Sequence, residues 1–244
     1  IVGEGLKARA EITDFWAMVF NPSSIDRLFH VIMGCYQAGA FLVLSISAFY
    51  LLQKRHEQFA KASMKIALGV AVFASLGQLI SGHSSAVLVS QYQPAKLAAF
   101  EGHYERSAPA GLYLLGWVNE KGEKVHGVKI PGFLSFLVHG DAKSPVTGLN
   151  SFEKADRPTV NFVFQTYHMM ITIGFMLIFI SITGTILLWR NKLFTNTLFL
   201  KIIVFSVLGP QLANQLGWFS AEVGRQPWIV YGLLRTSEGL SKVI

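Results

Sequence analysis

Residues 161–189 read NFVFQTYHMMITIGFMLIFISITGTILLW, 29 positions without one Asp, Glu, Lys or Arg. A helix needs about 20 mostly apolar residues to cross the hydrocarbon core of a bilayer, so this run is long enough to span. Three further charge-free runs flank it: Phe29–Leu52 (24 residues), Ile66–Ser90 (25) and Ile202–Ala221 (20), the last interrupted by Glu222. The whole chain agrees, with 14% charged and 52% hydrophobic residues, where an ordinary soluble domain carries about 25% charge. The pattern predicts an all-α integral membrane protein of about four transmembrane helices, with a long loop between the second and third.

The net charge of +7 does not mark nucleic-acid binding, because the basic residues sort by membrane side. Lys54, Arg55, Lys61 and Lys65 stand against one acid, Glu57, between the first two spans, and Arg190, Lys192 and Lys201 lie between the last two. Short loops rich in Lys and Arg stay cytoplasmic. The stretch Gln91–Val160 holds eight basic and seven acidic residues, and its near-neutral balance assigns it to the outer side. The expected organisation is an outer N-terminal segment (1–28), a transmembrane helix pair (29–90), an outer loop (91–160), a second helix pair (161–222) and an outer C-terminal segment (223–244). The chain begins at Ile1 with no signal-peptide pattern, which points to a processed chain or a piece of a longer one. Its single cysteine, Cys35, lies within the first span, so no internal disulfide is expected.

Gly and Pro punctuate the outer loop from Pro94 to Pro158 and argue against long regular elements there. The short apolar run Ile130–Val138 suits a helix lying on the membrane or a buried turn. Inside the spans the ionisable residues are few: His30, His83, His168 and Glu222, each toward the outer half of its span, with Met169 and Met170 beside His168. Ionisable groups at membrane depth are costly and mark function by default. Imidazole and thioether together form the axial pair of low-spin haem in cytochromes. On spacing alone the alternative stays open that these are interfacial residues held by hydrogen bonds.

Four collinear motifs carry a resemblance. GRQPW at 224–228 lies within GWFSAEVGRQPWIVYGLLRT; AEITDFWAMVFNP precedes FHVIMGCYQAGAFLVLSISAFYLL; QYQPAKLAAFEG opens the loop; and YHMMITIGFML opens the third span. Together they resemble subunit I of cytochrome bd quinol oxidases, over its C-terminal part. The resemblance implies that His30 and Met170 ligate the iron of a low-spin haem b. It implies that Glu222 ligates a high-spin haem b, with Trp218 beside it and Arg225 on a propionate. Lys96 and Glu101 would act in quinol oxidation, and a haem d or third haem b completed elsewhere would reduce oxygen. Implied partners are the family's first four spans (absent here), subunit II with small subunits, membrane lipid and quinol. The implied location is a bacterial or archaeal cell membrane, with the loop on the outer side.

Three positions depart from the family's pattern: His168 stands where many members have Arg, His83 where many have Asp, and Gln215 where some carry an acid. His168 is also a competing ligand beside Met170. The expected function is the quinol-oxidising, electron-entry part of a bd-type terminal oxidase, lacking the full oxygen site. The rivals are a silent structural half of a split or duplicated subunit, and a transporter relaying protons through His30, His83 and Glu222. Lys96 is expected to keep a neighbouring Glu101 ionised, although five residues on one helix separate the two by about 140°.

Overall fold

The computed structural model describes residues 11–239. Residues 1–10 of the expected N-terminal segment and 240–244 of the expected C-terminal segment lie outside the described residues. A five-residue helix, α1 (Phe15–Val19), is capped by the Asp14 side chain, which accepts from the Ala17 N–H. The first long helix, α2 (Ser24–Leu52), starts five residues before the charge-free run. A tight turn follows, with Lys54 and His56 at positive φ, and α3 (Glu57–Tyr92) then runs for 36 residues. The basic residues Lys61 and Lys65 thus belong to a helix and not to a loop. Pro94 starts α4 (Pro94–Phe100), where its missing N–H costs nothing.

The loop is more regular than its glycines suggest. Strands β1 (Leu112–Asn119) and β2 (Lys124–Ile130) form an antiparallel hairpin. Gly116 and Gly127, which read as breakers in sequence, face each other in its register. A Cβ on Gly127 would fall 2.0 Å from the Leu115 carbonyl oxygen, so these glycines let the strands close up. The seven-residue α5 (Phe133–His139) realises the short apolar run, and the 3-10 turns Leu149–Ser151 and Lys154–Asp156 lead to α6 (Val160–Trp189).

The fourth span is bent into α7 (Thr197–Ser206) and α8 (Leu208–Val223). Pro210 accounts for the break: its ring lacks an N–H and crowds the carbonyl four residues back, that of Ser206. A small hairpin, β3 (Trp228–Val230) with β4 (Leu234–Arg235), closes the described chain. Four helical stretches, Ser24–Leu52, Glu57–Tyr92, Lys154–Trp189 and Thr197–Val223, are long and apolar enough to cross a membrane.

Two cores hold the bundle. At the end with the tight turns, Phe41 and Leu44 of α2, Met64 and Leu68 of α3, Leu177 of α6 and Ile203 of α7 form one cluster. Ala40, Ala48, Ala60, Ala67 and Ala71 line the same cluster, and such small residues let helices approach closely where lipid removes any hydrophobic drive. At the loop end, Ala98 and Phe100 of α4, Val118 of β1, and Val160, Val163 and Phe164 of α6 form the second cluster. That second cluster binds the loop to the helix carrying Met170.

Candidate functional site

His30 sits in the second turn of α2, and its Nδ1 lies 2.8 Å from the Ser81 hydroxyl on α3. Ser81 in turn donates to the Gly77 carbonyl at 2.8 Å. With its only proton committed, the serine oxygen accepts from His30, so Nδ1 carries the ring proton and Nε2 keeps its lone pair. This is how a metal-binding imidazole is held in most sites. The His30 backbone carbonyl is also held, accepting from Gln78 Nε2 at 3.0 Å. Ser81 carries no motif in the sequence; only its pairing across 51 positions shows its role.

Met170, in the third turn of α6, meets α8. A Cβ added at Gly217 would come 2.7 Å from the Met170 sulfur, so the glycine provides the room that the thioether uses. A Cβ at Gly34, one turn after His30, would lie 3.2 Å from Asn214 Oδ1 on the same helix. Asn214 and Gly217 are three apart and share a helix face. Helix α8 is therefore the common neighbour of the segments carrying His30 and Met170.

The other candidates are differently placed. His168 is buried, with Nδ1 2.9 Å from the Phe164 carbonyl and Nε2 2.8 Å from the Tyr113 carbonyl. Both ring nitrogens face backbone carbonyls, and the neutral ring donates to one of them. Met169 and His83 face outward, and Gln215 is exposed on α8. Among the described residues no three His, Cys, Asp or Glu side chains gather as a metal-ion site, so the remaining candidates stand singly on different helices.

Glu222 ends α8 and pairs with Arg225. Both guanidinium bonds, from Nε at 3.0 Å and Nη2 at 2.7 Å, land on Oε2, while Nη1 donates to the Trp228 carbonyl at 3.4 Å. Trp218, four residues before Glu222, is exposed on α8. Lys96 of α4 reaches the same corner: its ammonium donates to the Ala221 carbonyl at 3.0 Å and lies 5.6 Å from the Phe100 ring centroid. Gly224 of GRQPW abuts both, since a Cβ there would sit 3.1 Å from Phe100 Cε1 and 3.4 Å from Lys96 Cγ. The motifs AKLAAFE and GRQPW, more than 120 residues apart, are thus one site. Burial, then the nearby Arg27, push the Lys96 ammonium down to about 8, against the pull of Glu222.

Glu101 caps α4, and Gly102 at φ +57° turns the chain away. The carboxyl is 4% exposed and its Oε2 has no hydrogen-bond partner. Tyr167 of α6 lies alongside, its ring stacked on Phe100 at 4.4 Å, and its hydroxyl is the side-chain partner of the carboxyl. Burial pushes Glu101 up to about 8, with Tyr167 opposing the rise. The expectation that Lys96 keeps Glu101 ionised is not met. The helix turn sends Lys96 toward Ala221 and Glu222, and Glu101 toward Tyr167, so desolvation governs the carboxyl. Tyr167 is a neighbour of Glu101 that the sequence concealed beside the louder His168-Met169-Met170 run. Next to α4, a cavity of about 220 Å³ is lined by Asp26, Arg27, Ser85, Tyr92 and Gln93 among others. The Gln93 Oε1 is buried without a partner.

These residues suit haem. A neutral imidazole with Nε2 free, a thioether in a glycine-made recess and a carboxylate with both bonds on one oxygen are a chemically consistent donor set.

The family described as cytochrome bd terminal oxidase subunit I matches residues 2–244. Cytochrome bd ubiquinol oxidase subunit 1 of Bacillus subtilis (strain 168) is 36% identical, covering 96% of this chain and 52% of the relative. Cytochrome bd-II ubiquinol oxidase subunit 1 of Escherichia coli (strain K12) is 28% identical, covering 93% of this chain and 57% of the relative. The solved structure of bd oxidase from Geobacillus thermodenitrificans superposes with a TM-score of 0.84 at 31% identity, over 93% of this chain and 53% of that one. The chain spans about half the length of the curated relatives it matches.

Proposed function

The chain belongs to the cytochrome bd terminal oxidase subunit I family, and from that premise we propose that it is the haem-binding, quinol-oxidising part of a bd-type terminal oxidase. The observation that carries this reading is the His30–Ser81 bond, which holds an imidazole at membrane depth with Nε2 free.

His30 Nε2 and the Met170 sulfur would hold the low-spin haem b, and Glu222 the high-spin haem b, with Trp218 and Arg225 beside it. Haem iron with such ligands supplies one-electron acceptance, into which a two-electron quinol must divide its oxidation. The chain's own residues handle the protons. Quinol binds at the loop end around α4, where Gln93 Oε1 and Glu101 Oε2 are both buried without partners. Glu101, when ionised, accepts a quinol proton on its unpartnered Oε2. Lys96 fixes the electrostatics of the corner it shares with Glu222.

The remaining N-terminal helices of subunit I, subunit II, small subunits and lipid are the proposed partners, in a bacterial or archaeal cell membrane. The tight-turn end, with Lys54, Arg55, Arg190 and Lys192, is assigned to the cytoplasmic face and the loop to the outer face. Absorption spectra of the purified assembly test the reading. Low-spin and high-spin haem b signals that are lost with substitutions at His30 and Glu222 respectively support it. An assembly without any low-spin haem b signal would establish the silent structural half instead, and haem content indifferent to both substitutions would reject His30 and Glu222 as ligands.

A further inference from the structure

Helix α6 begins at Val160 with no side-chain cap: Thr159, in the cap position, makes no such bond. The first-turn N–H groups of a helix lack intrahelical partners, and here the outer hairpin supplies one. The Asn161 N–H donates to Glu120 Oε1 at 2.6 Å, which also places a carboxylate at the positive end of the helix dipole. One turn on, Gln165 Nε2 donates to the Gly116 carbonyl at 2.8 Å. Another turn on, His168 Nε2 lies 2.8 Å from the Tyr113 carbonyl.

The α6 positions 161, 165 and 168 form one stripe at helical spacing. Their partners 120, 116 and 113 run backwards along β1 and the residue that follows it. The contacts are therefore successive rungs of one docked register. Additional ties hold the hairpin turn to the segment before α6: Arg157 Nη1 donates to Glu123 Oε1 at 3.3 Å and Asn150 Nδ2 to Glu123 Oε2 at 3.1 Å. The last rung is clamped from within, since the His168 ring stacks on Phe164 at 3.9 Å and Phe164 is fully buried in the loop-end core. Two residues beyond that rung stands Met170.

We propose that the β1–β2 hairpin is a splint for the Met170 turn of α6, with His168 as the positioning residue that locks strand to helix. The splint caps the helix at Glu120, sets its register at Gly116 and fixes the rotation of the ligand-bearing turn at Tyr113. His168 acts by donating its Nε2 N–H to the Tyr113 carbonyl and is assigned no part in ligating iron. This inference rests on the reading of Met170 as a haem ligand.

The test uses the assembled oxidase carrying His168→Leu, His168→Gln, or Glu120→Ala, the last being 50 positions from Met170, with its partner Asn161 nine positions from it. Two quantities are read in each: amide hydrogen exchange over residues 112–130, and the fraction of low-spin haem b that binds carbon monoxide. Loss of a rung should speed hairpin exchange about tenfold, the size of one hydrogen bond. In His168→Leu it should also create a carbon-monoxide-reactive fraction where Met170 lets go. His168→Gln, whose amide can donate to the Tyr113 carbonyl, should restore both. Faster exchange with an unaltered haem in His168→Leu overturns the splint and leaves a merely structural hairpin. Unchanged exchange overturns the ladder. If His168→Leu does not assemble, Glu120→Ala decides: it must loosen the hairpin and raise carbon monoxide binding, or the proposal fails. A wild-type assembly without any low-spin haem would instead overturn the underlying assignment of Met170.

Discussion

The imidazole of His30 donates from Nδ1 to the Ser81 hydroxyl across 2.8 Å, joining α2 to α3. Replacing Ser81 by Ala removes the acceptor that fixes the tautomer. Partners of this kind change metal affinity by about 10- to 100-fold when lost. Ser81→Ala should therefore retain the fold while lowering low-spin haem retention by about that factor. A haem titration of the variant that matches wild type would remove Ser81 from the site.

Met170→Leu removes the thioether and should leave a five-coordinate, high-spin iron beside His30. Persistence of the low-spin spectrum would reject Met170 as the ligand. Gly217→Ala is a finer probe of the same recess. Its methyl would meet the sulfur at 2.7 Å, and such overpacking costs roughly 1–3 kcal/mol. A weakened iron–sulfur bond, read as a lowered midpoint potential, is the expected outcome.

Glu222 and Arg225 form an ion pair with both bonds on Oε2. A structure of the assembled enzyme should place iron close to Oε1, near the roughly 2.0–2.2 Å usual for carboxylate–metal bonds. Glu222→Gln should deplete high-spin haem b while the low-spin signal survives. Iron more than about 3 Å from both oxygens would leave Glu222 as a helix-end partner of Arg225 alone.

Glu101 is pushed up to about 8 by burial, so below that pH it is mostly protonated and cannot accept a proton. Quinol turnover should rise as pH climbs toward about 8, and Glu101→Gln should be slow and lack this rise, with chemical reduction of the haems unchanged. The linkage to stability has the same origin. The carboxyl holds its proton in the fold above its ordinary value of 4.5, so its burial is harmless below pH 4.5 and becomes destabilising as the pH rises to about 8. Wild-type kinetics in Glu101→Gln at every pH would exclude it.

Lys96 is cationic at neutral pH and loses its charge near pH 8. Lys96→Met should reduce quinol turnover below pH 8 and leave a smaller difference above it. A deficit that is equal across the range would assign Lys96 a packing role against Phe100 and Gly224.

What the chain alone determined is the class of fold and a short list of candidate donors. Four charge-free runs specify four spans, because bilayer thickness translates directly into a count of contiguous residues. His30, Met170 and Glu222 stand out because ionisable or soft side chains are rare in such runs. What the chain could not display is pairing. Ser81, Tyr167 and Gly217 are ordinary residues until α3, α6 and α8 bring them against His30, Glu101 and Met170. Gly116 and Gly127 read as breakers, yet in the folded hairpin they let two strands meet. The opposite directions taken by Lys96 and Glu101 follow from where a seven-residue helix ends and what it packs against. Span length is a local property, written in consecutive residues. Side-chain partnership depends on contacts across 47 to 125 positions, and only the tertiary structure decides those.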